Sequence, residues 1–159
     1  MESIELDSTD IQLLAQLQHD ANISNQALAE VAHISPPTCL RRVKRLRDAG
    51  LIERQIAVLS AEKLTPTIGF GLTVIVEITL DRQDAQALEQ FEHRVAHAPA
   101  VQQCYRVSPG PDFVLVVHAA NMPAYQALTQ QLFTSDANVR NVKAFFSIKR
   151  SKFGVELPL

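Results

Sequence analysis

The sequence predicts an α+β chain in two parts. A helix-turn-helix domain is expected over residues 1–60 and a ferredoxin-like βαββαβ domain over residues 70–155, with a linker at 61–69 and a tail at 156–159. Three observations lead there. The first third of the chain holds three short stretches with helical periodicity and cap residues at their ends. Within it "SPPTCLRRVKRLRDAG", residues 35–50, sets five cations between Arg41 and Arg47, although the whole chain carries a formal charge of −2. From residue 72 onward the pattern runs strand, helix, strand, strand, helix, strand.

The first helix is expected to start at Asp7, which with Asp10 resembles a capping pair, and Ile11, Leu14 and Leu17 then recur at helical spacing. It should end near Asp20 to Asn22. Ser24 is a fitting N-cap for "NQALAEVAH", with Leu28, Val31 and Ala32 as the buried stripe. Ser35 caps the third helix, whose first turn tolerates proline because the missing N–H has no helical partner there. Gly50 supplies the left-handed residue that ends it. "LIERQIAVLS" follows with β-like character and no helical period.

About three residues separate the second and third helices, the spacing of a helix-turn-helix. On a 100° wheel Cys39, Leu40, Val43 and Leu46 gather on one side and should face the other two helices. Pro37, Thr38, Arg41, Lys44 and Arg45 occupy the opposite side, with Arg42 and Arg47 on the flanks. A solvated basic face is the plain alternative to a DNA-reading one. Helix-turn-helix spacing with caps at both ends favours DNA. Net charge does not oppose it, because charges a domain away are screened over a Debye length of about 8 Å. Clustered cations displace condensed counterions, and arginine can fork onto guanine O6 and N7. Thr38 and Arg41 are expected near base edges, with Pro37 packing at the groove and Arg45 at the boundary between base and phosphate. Ser35, Arg42 and Lys44 are expected on phosphate.

In the second part, Pro66, Gly69 and Gly71 make "SAEKLTPTIGFG" read as a linker. "LTVIVEITL" alternates as a strand, "DAQALEQFEHRVAHA" is helical with Leu88, Phe91 and Val95 on one face, and "VQQCYRVS" and "FVLVVHAA" are strands joined by "PGPD". "PAYQALTQQLFTS" is helical and "VRNVKAFFSIKRSKF" closes as a strand. Two helices cover one face of such a sheet and leave the other bare. That bare face cannot be wholly polar, because "FVLVVHAA" is apolar at both parities and Ile75 adds to it. Large exposed apolar patches are uncommon on soluble monomers, so a two-fold homodimer through this face is expected, with two recognition helices for a palindromic duplex.

Other classes find less support. "MESIELDSTD" lacks the apolar core of a signal peptide, and no run approaches the eighteen or so apolar residues of a membrane span. Cys39 and Cys104 lie in separate segments and read as buried thiols of a reducing compartment, which points to the cytoplasm. Glu89, His93 and His97 recur every four residues on one helix face. Without a cysteine cluster or a third histidine they read as a solvated stripe rather than a metal site. His19, His33 and His118 are isolated, and no G-x-S-x-G elbow is present. No cofactor is expected.

The stretch "LDSTDIQLLAQLQHDANISNQALAEVAHISPPTCLRRVKRLRDAGLI" resembles the N-terminal domain of the leucine-responsive regulatory protein/AsnC (feast/famine) transcription regulators. The resemblance continues through "VEITL", "FEHRVAHAPAVQQCYRVS" and the last strand. It implies a winged helix-turn-helix, a C-terminal regulatory domain, dimers that often assemble into octamers, and modulation by amino acids. Relatives carry a Gly-Asp-Tyr-Asp-like turn between the second and third regulatory strands, with effectors bound nearby at a subunit interface. By that resemblance the candidate effector residues are Tyr105, Ser108, Gly110, Asp112, Val142 and Ala144. The chain departs from the pattern at Pro109-Gly110-Pro111-Asp112, where only Asp112 is kept. It departs again over Asn138 to Ala144, where Val142 and Ala144 stand in place of two threonines. Weak or absent binding of ordinary polar amino acids is expected. Siroheme decarboxylases resemble these regulators in architecture, but an enzyme has no physical need for five cations on one helix. A stand-alone metabolite-binding module would lack the helix-turn-helix.

Overall fold

A computed structural model describes residues 5–69 and 71–159, so the expected start of the second domain at position 70 and the first four residues lie outside the described part. The chain divides into two compact units. One runs up to Val58 and also includes Lys152–Leu159; the other is Leu59–Ser151.

In the first unit, α1 spans Ser8–His19, α2 Asn25–Val31 and α3 Pro36–Asp48. The Asp7–Asp10 pair forms a capping box: the Asp7 side chain accepts the Asp10 N–H at 2.9 Å, and the Asp10 side chain accepts the Asp7 N–H at 3.2 Å. Ser24 Oγ accepts the Ala27 N–H at 3.1 Å to start α2. Gly50, at φ +74°, closes α3: its N–H donates to the Arg47 carbonyl and the Leu51 N–H to that of Leu46. His33 performs the same service at the end of α2, at φ +53° and without glycine's freedom; its N–H reaches the Glu30 carbonyl, and that of Ile34 reaches Ala29.

Leu13, Leu28, Ala29, Ala32, Cys39 and Leu46 make the core of this unit. Burying a leucine of this kind contributes roughly 1.5–3 kcal/mol, and burial pushes the Cys39 thiol pKa up. Two expected core positions are exposed, Leu40 at 62% and Val31 at 40%. Leu40 lies about 100° from Cys39, past the edge of the stripe that α1 and α2 cover. Residues 53–60 form neither helix nor strand. The end of the chain belongs here too. The Gln18 amide donates to the Leu157 carbonyl at 2.7 Å and accepts the Leu157 N–H at 2.9 Å, and His19 lies 3.6 Å from Glu156.

The second unit opens with a departure from expectation. The stretch 61–69 expected as a linker is a helix, α4, over Ala61–Ile68, with Ser60 Oγ accepting the Lys63 N–H and Gly69 in the left-handed region at φ +67°. The rest is β1 Leu72–Leu80, α5 Ala85–Ala96, β2 Val101–Arg106, β3 Phe113–Ala119, α6 Met122–Thr129 continuing as a π-helical turn over Gln130–Thr134, and β4 Val139–Phe146. The sheet is antiparallel in the order β2-β3-β1-β4. Val74, Val76, Ile78 and Leu80 pack with Phe113, Leu115 and Val117 against Phe91, Val95, Tyr125 and Phe133. Gly71 passes so close to β3's end that a Cβ there would stand 2.3 Å from the Ala120 carbonyl oxygen.

Among the described residues, the hydrophobic core involves only one face of the sheet, and the other face is partly exposed at Ile75 and Phe145. Ile75 pairs with Val116 on one side and Phe145 on the other, and Ile75 and Phe145 are 42% and 51% exposed. Beside that apolar row, Glu77 pairs with Val114 and Lys143, and Tyr105 continues the row on β2.

Candidate nucleic-acid interface and effector region

Helix α3 is positioned at its start. Ser35 Oγ accepts the Thr38 N–H at 3.4 Å and shares a 2.8 Å hydrogen bond with Thr38 Oγ1. Asn25, which the sequence pattern did not single out, donates its side-chain amide to the Pro36 carbonyl at 2.9 Å and fastens the start of α2 to that of α3. Gln12 donates to the Val31 carbonyl at 2.9 Å and ties α1 to the end of α2.

The five cations do not share one role. Arg42 Nη1 donates to Asp7 Oδ2 and Asp10 Oδ1, each at 2.8 Å, and Arg45 Nη2 bonds Asp10 Oδ2. The Asp10 side chain is 1% exposed, so both guanidiniums serve a carboxylate withdrawn from water. Arg42, expected on phosphate, and Arg45, expected at the boundary between base and phosphate, both point at the start of α1. The physical reason is the acidic capping box, whose buried carboxylate needs counter-charge. The Asp10 N–H and then Arg42 hold the Asp7 carboxyl below its ordinary value, and hydrogen bonds to Asp10 and then Asp7 raise the pKa of Arg42.

Lys44 pairs with Asp48 at 3.0 Å while both remain largely exposed, and Arg47 donates to Gln55 at 3.3 Å. Exposed pairs of this kind are worth little and exchange readily for phosphate. Arg41 has no partner among the described residues and stands exposed beside Pro37, Leu40 and Lys44. The exposed residues along this part of the chain include Ser35, Pro37, Leu40, Arg41, Lys44, Arg45 and Arg47, with Thr38 half-buried among them.

The expected effector residues do not come together within one chain. Tyr105 lies on the open face of edge strand β2, whereas Val142 and Ala144 lie on the helix-bearing face of the opposite edge strand β4, with β3 and β1 between. The Asp112 carboxylate is also engaged: Oδ2 accepts the Leu80 N–H at 2.7 Å, while the Asp112 N–H donates to the Ile78 carbonyl. Pro109 and Pro111 carry no N–H, which leaves those of Ser108 and Gly110 between Val107 and Asp112, and Gly110 sits at φ +123°. A cavity of about 400 Å³ lies elsewhere, beside Ala100, His118, Ala124 and Leu128, and none of the six candidates lines it.

Comparison with known proteins finds relatives of both parts of the chain. A winged helix-turn-helix DNA-binding family matches residues 6–53, and the Lrp/AsnC ligand binding domain family matches residues 73–157. The chain is 36% identical over 149 residues to the leucine-responsive regulatory protein of Rhizobium meliloti strain 1021, covering 94% of this chain and 93% of that one. It is 32% identical over 154 residues to the DNA-binding transcriptional activator DecR of Escherichia coli strain K12, covering 97% and 99%. The crystal structure of a transcriptional regulator from Neisseria meningitidis in complex with L-Met superposes with a TM-score of 0.84 at 30% identity, covering 97% of each chain.

Proposed function

The chain belongs to the Lrp/AsnC family of helix-turn-helix transcriptional regulators, and from that premise we propose that it works in the cytoplasm as a homodimer on a palindromic operator, read in the major groove by α3. The observation that carries this reading is the outward face of α3, where Arg41 stands free beside Ser35, Pro37, Thr38 and Lys44. Arg41 and Thr38 meet base edges, while Ser35 and Lys44 meet phosphate. No helix among the described residues is long and apolar enough to cross a membrane, and the relatives are regulators, which favours this reading over a decarboxylase.

The dimer forms through the open sheet face. The row Phe145–Ile75–Val116 offers a two-fold partner an apolar strip, and Glu77 with Lys143 offers a charged margin. An octamer is the further assembly that suits the family. The effector site lies between chains, because Tyr105 and Val142 occupy opposite edges of one sheet. Its ligand is an apolar amino acid or a related metabolite, since the turn at Pro109 and Pro111 is poor in carboxylate-binding N–H groups. The neighbouring regulator's complex with L-Met supports that class.

Binding of Arg41→Ala and Lys44→Ala proteins to operator and scrambled duplexes tests the interface. Arg41→Ala should cost roughly 1–3 kcal/mol on the operator and relax sequence preference, whereas Lys44→Ala should weaken both duplexes alike. Equal losses on both duplexes for Arg41→Ala would remove its assigned role. Calorimetric titration with the twenty amino acids tests the effector. Low-micromolar binding of asparagine, glutamine or lysine, about −7 to −8 kcal/mol, would overturn the apolar assignment.

A further inference from the structure

We propose that Asp10 sets the DNA specificity of this protein from inside the fold, by withholding Arg42 and Arg45 from phosphate. The inference rests on the reading of α3 as the DNA-facing helix. Five cations lie between Arg41 and Arg47, yet two of them converge on one buried carboxylate: Arg42 on Asp10 Oδ1 at 2.8 Å and Arg45 on Oδ2. Asp7 takes a second hydrogen bond from Arg42. Arg42 Nε is itself buried without a partner, and the Arg42 side chain is 22% exposed; Arg45 is more open, at 42%, and is held by its bond to Asp10 rather than by burial.

A carboxylate shut away from water holds its counter-charges far more firmly than an exposed one does. The contrast lies on the same helix, where Lys44 and Asp48 are 75% and 61% exposed and exchange partners at little cost. Non-specific affinity scales with the number of phosphates neutralised, whereas discrimination depends on contacts to base edges. Freed, Arg42 and Arg45 would tighten every sequence alike and dilute the contribution of Arg41. Held, they leave a narrower cationic surface and raise the ratio of operator to non-specific binding. Asp10 is thus a positioning residue that touches no DNA.

The test measures binding of the full-length protein to an operator selected by the wild type from a random pool, and to a scrambled duplex, between 50 and 200 mM salt. Asp10→Asn should steepen the dependence of log K on log salt for the scrambled duplex by about 0.9 per released cation. The loss of affinity across that salt range then grows roughly threefold per cation. The operator-to-scrambled ratio should fall severalfold. Arg45→Gln should leave the slope on scrambled DNA unchanged. A flatter slope in Arg45→Gln, by about 0.9, would show that Arg45 already contacts phosphate and would overturn the proposal, even if Asp10→Asn fails to fold. A folded Asp10→Asn protein with an unaltered slope would overturn it as well. Arg41→Ala separates the two readings. If it loses operator binding while Asp10→Asn changes nothing, only the role of Asp10 falls. If the wild type binds neither duplex, the DNA-facing assignment of α3 falls first.

Discussion

Asp112 reaches across from the start of β3 to accept the backbone N–H of Leu80 at 2.7 Å, and so closes the last turn of the ladder on β1. Leu80 is fully buried, and a buried donor left without its acceptor costs about 1–3 kcal/mol. Asp112→Ala should therefore lower the unfolding free energy of the second unit by that amount in urea, with Asp112→Asn losing less because it keeps an acceptor. Unchanged stability in Asp112→Ala would return this residue to a purely ligand-binding role.

His33 occupies the left-handed region at φ +53°, where a side chain is strained and glycine is not. His33→Gly should stabilise the first unit by about 0.5–1 kcal/mol, part of the relief being offset by glycine's greater freedom when unfolded. The urea midpoint of full-length protein would register it. A midpoint that falls would mean the imidazole makes a contact worth more than the strain.

Burial and then the positive field of Arg150 push His118 below the ordinary histidine value of 6.5. The unfolded chain consequently binds more protons in that window, and stability rises with pH. The contribution is complete above about pH 6.5 and declines as pH falls towards the depressed folded value. Thermal melts from pH 7.5 to 5 should show a fall that His118→Gln flattens. An identical pH profile in the variant would assign the loss to other groups.

Ile75→Lys sets a charge in the middle of the row Phe145–Ile75–Val116. If this face meets a second copy, the buried unpaired ammonium should cost several kcal/mol, on the order of 3–5. Sedimentation at micromolar concentration should then find monomer where the wild type is dimeric, and tight operator binding should disappear with the dimer. A variant that remains dimeric would place the interface elsewhere.

The sequence disclosed local features well and long-range ones poorly. Caps at Asp7, Ser24 and Ser35, the stop at Gly50 and the alternation along β1 involve neighbours in the chain, and each stands where the pattern puts it. The pairing of Arg42 and Arg45 with Asp10 left no local signal, because the carboxylate lies 32 and 35 residues away in the chain. The helix α4 was hidden by Pro66 and Gly69, read as breakers. Ser60 at its start was the available signal, since Ser60 and Gly69 turn out to be its two caps. The scattering of Tyr105 and Val142 onto opposite sheet edges follows from strand order, which no local pattern contains.

The grip of Gln18 on Leu157 holds the end of the chain in the first unit. The second unit is an insertion: the backbone leaves the first at Val58 and rejoins it at Lys152. The chain therefore crosses between the units twice. The return path is short, since β4 ends at Phe146 and the first unit resumes at Lys152. A single proteolytic cut between Val58 and Leu59 would leave the two units still joined by the other crossing.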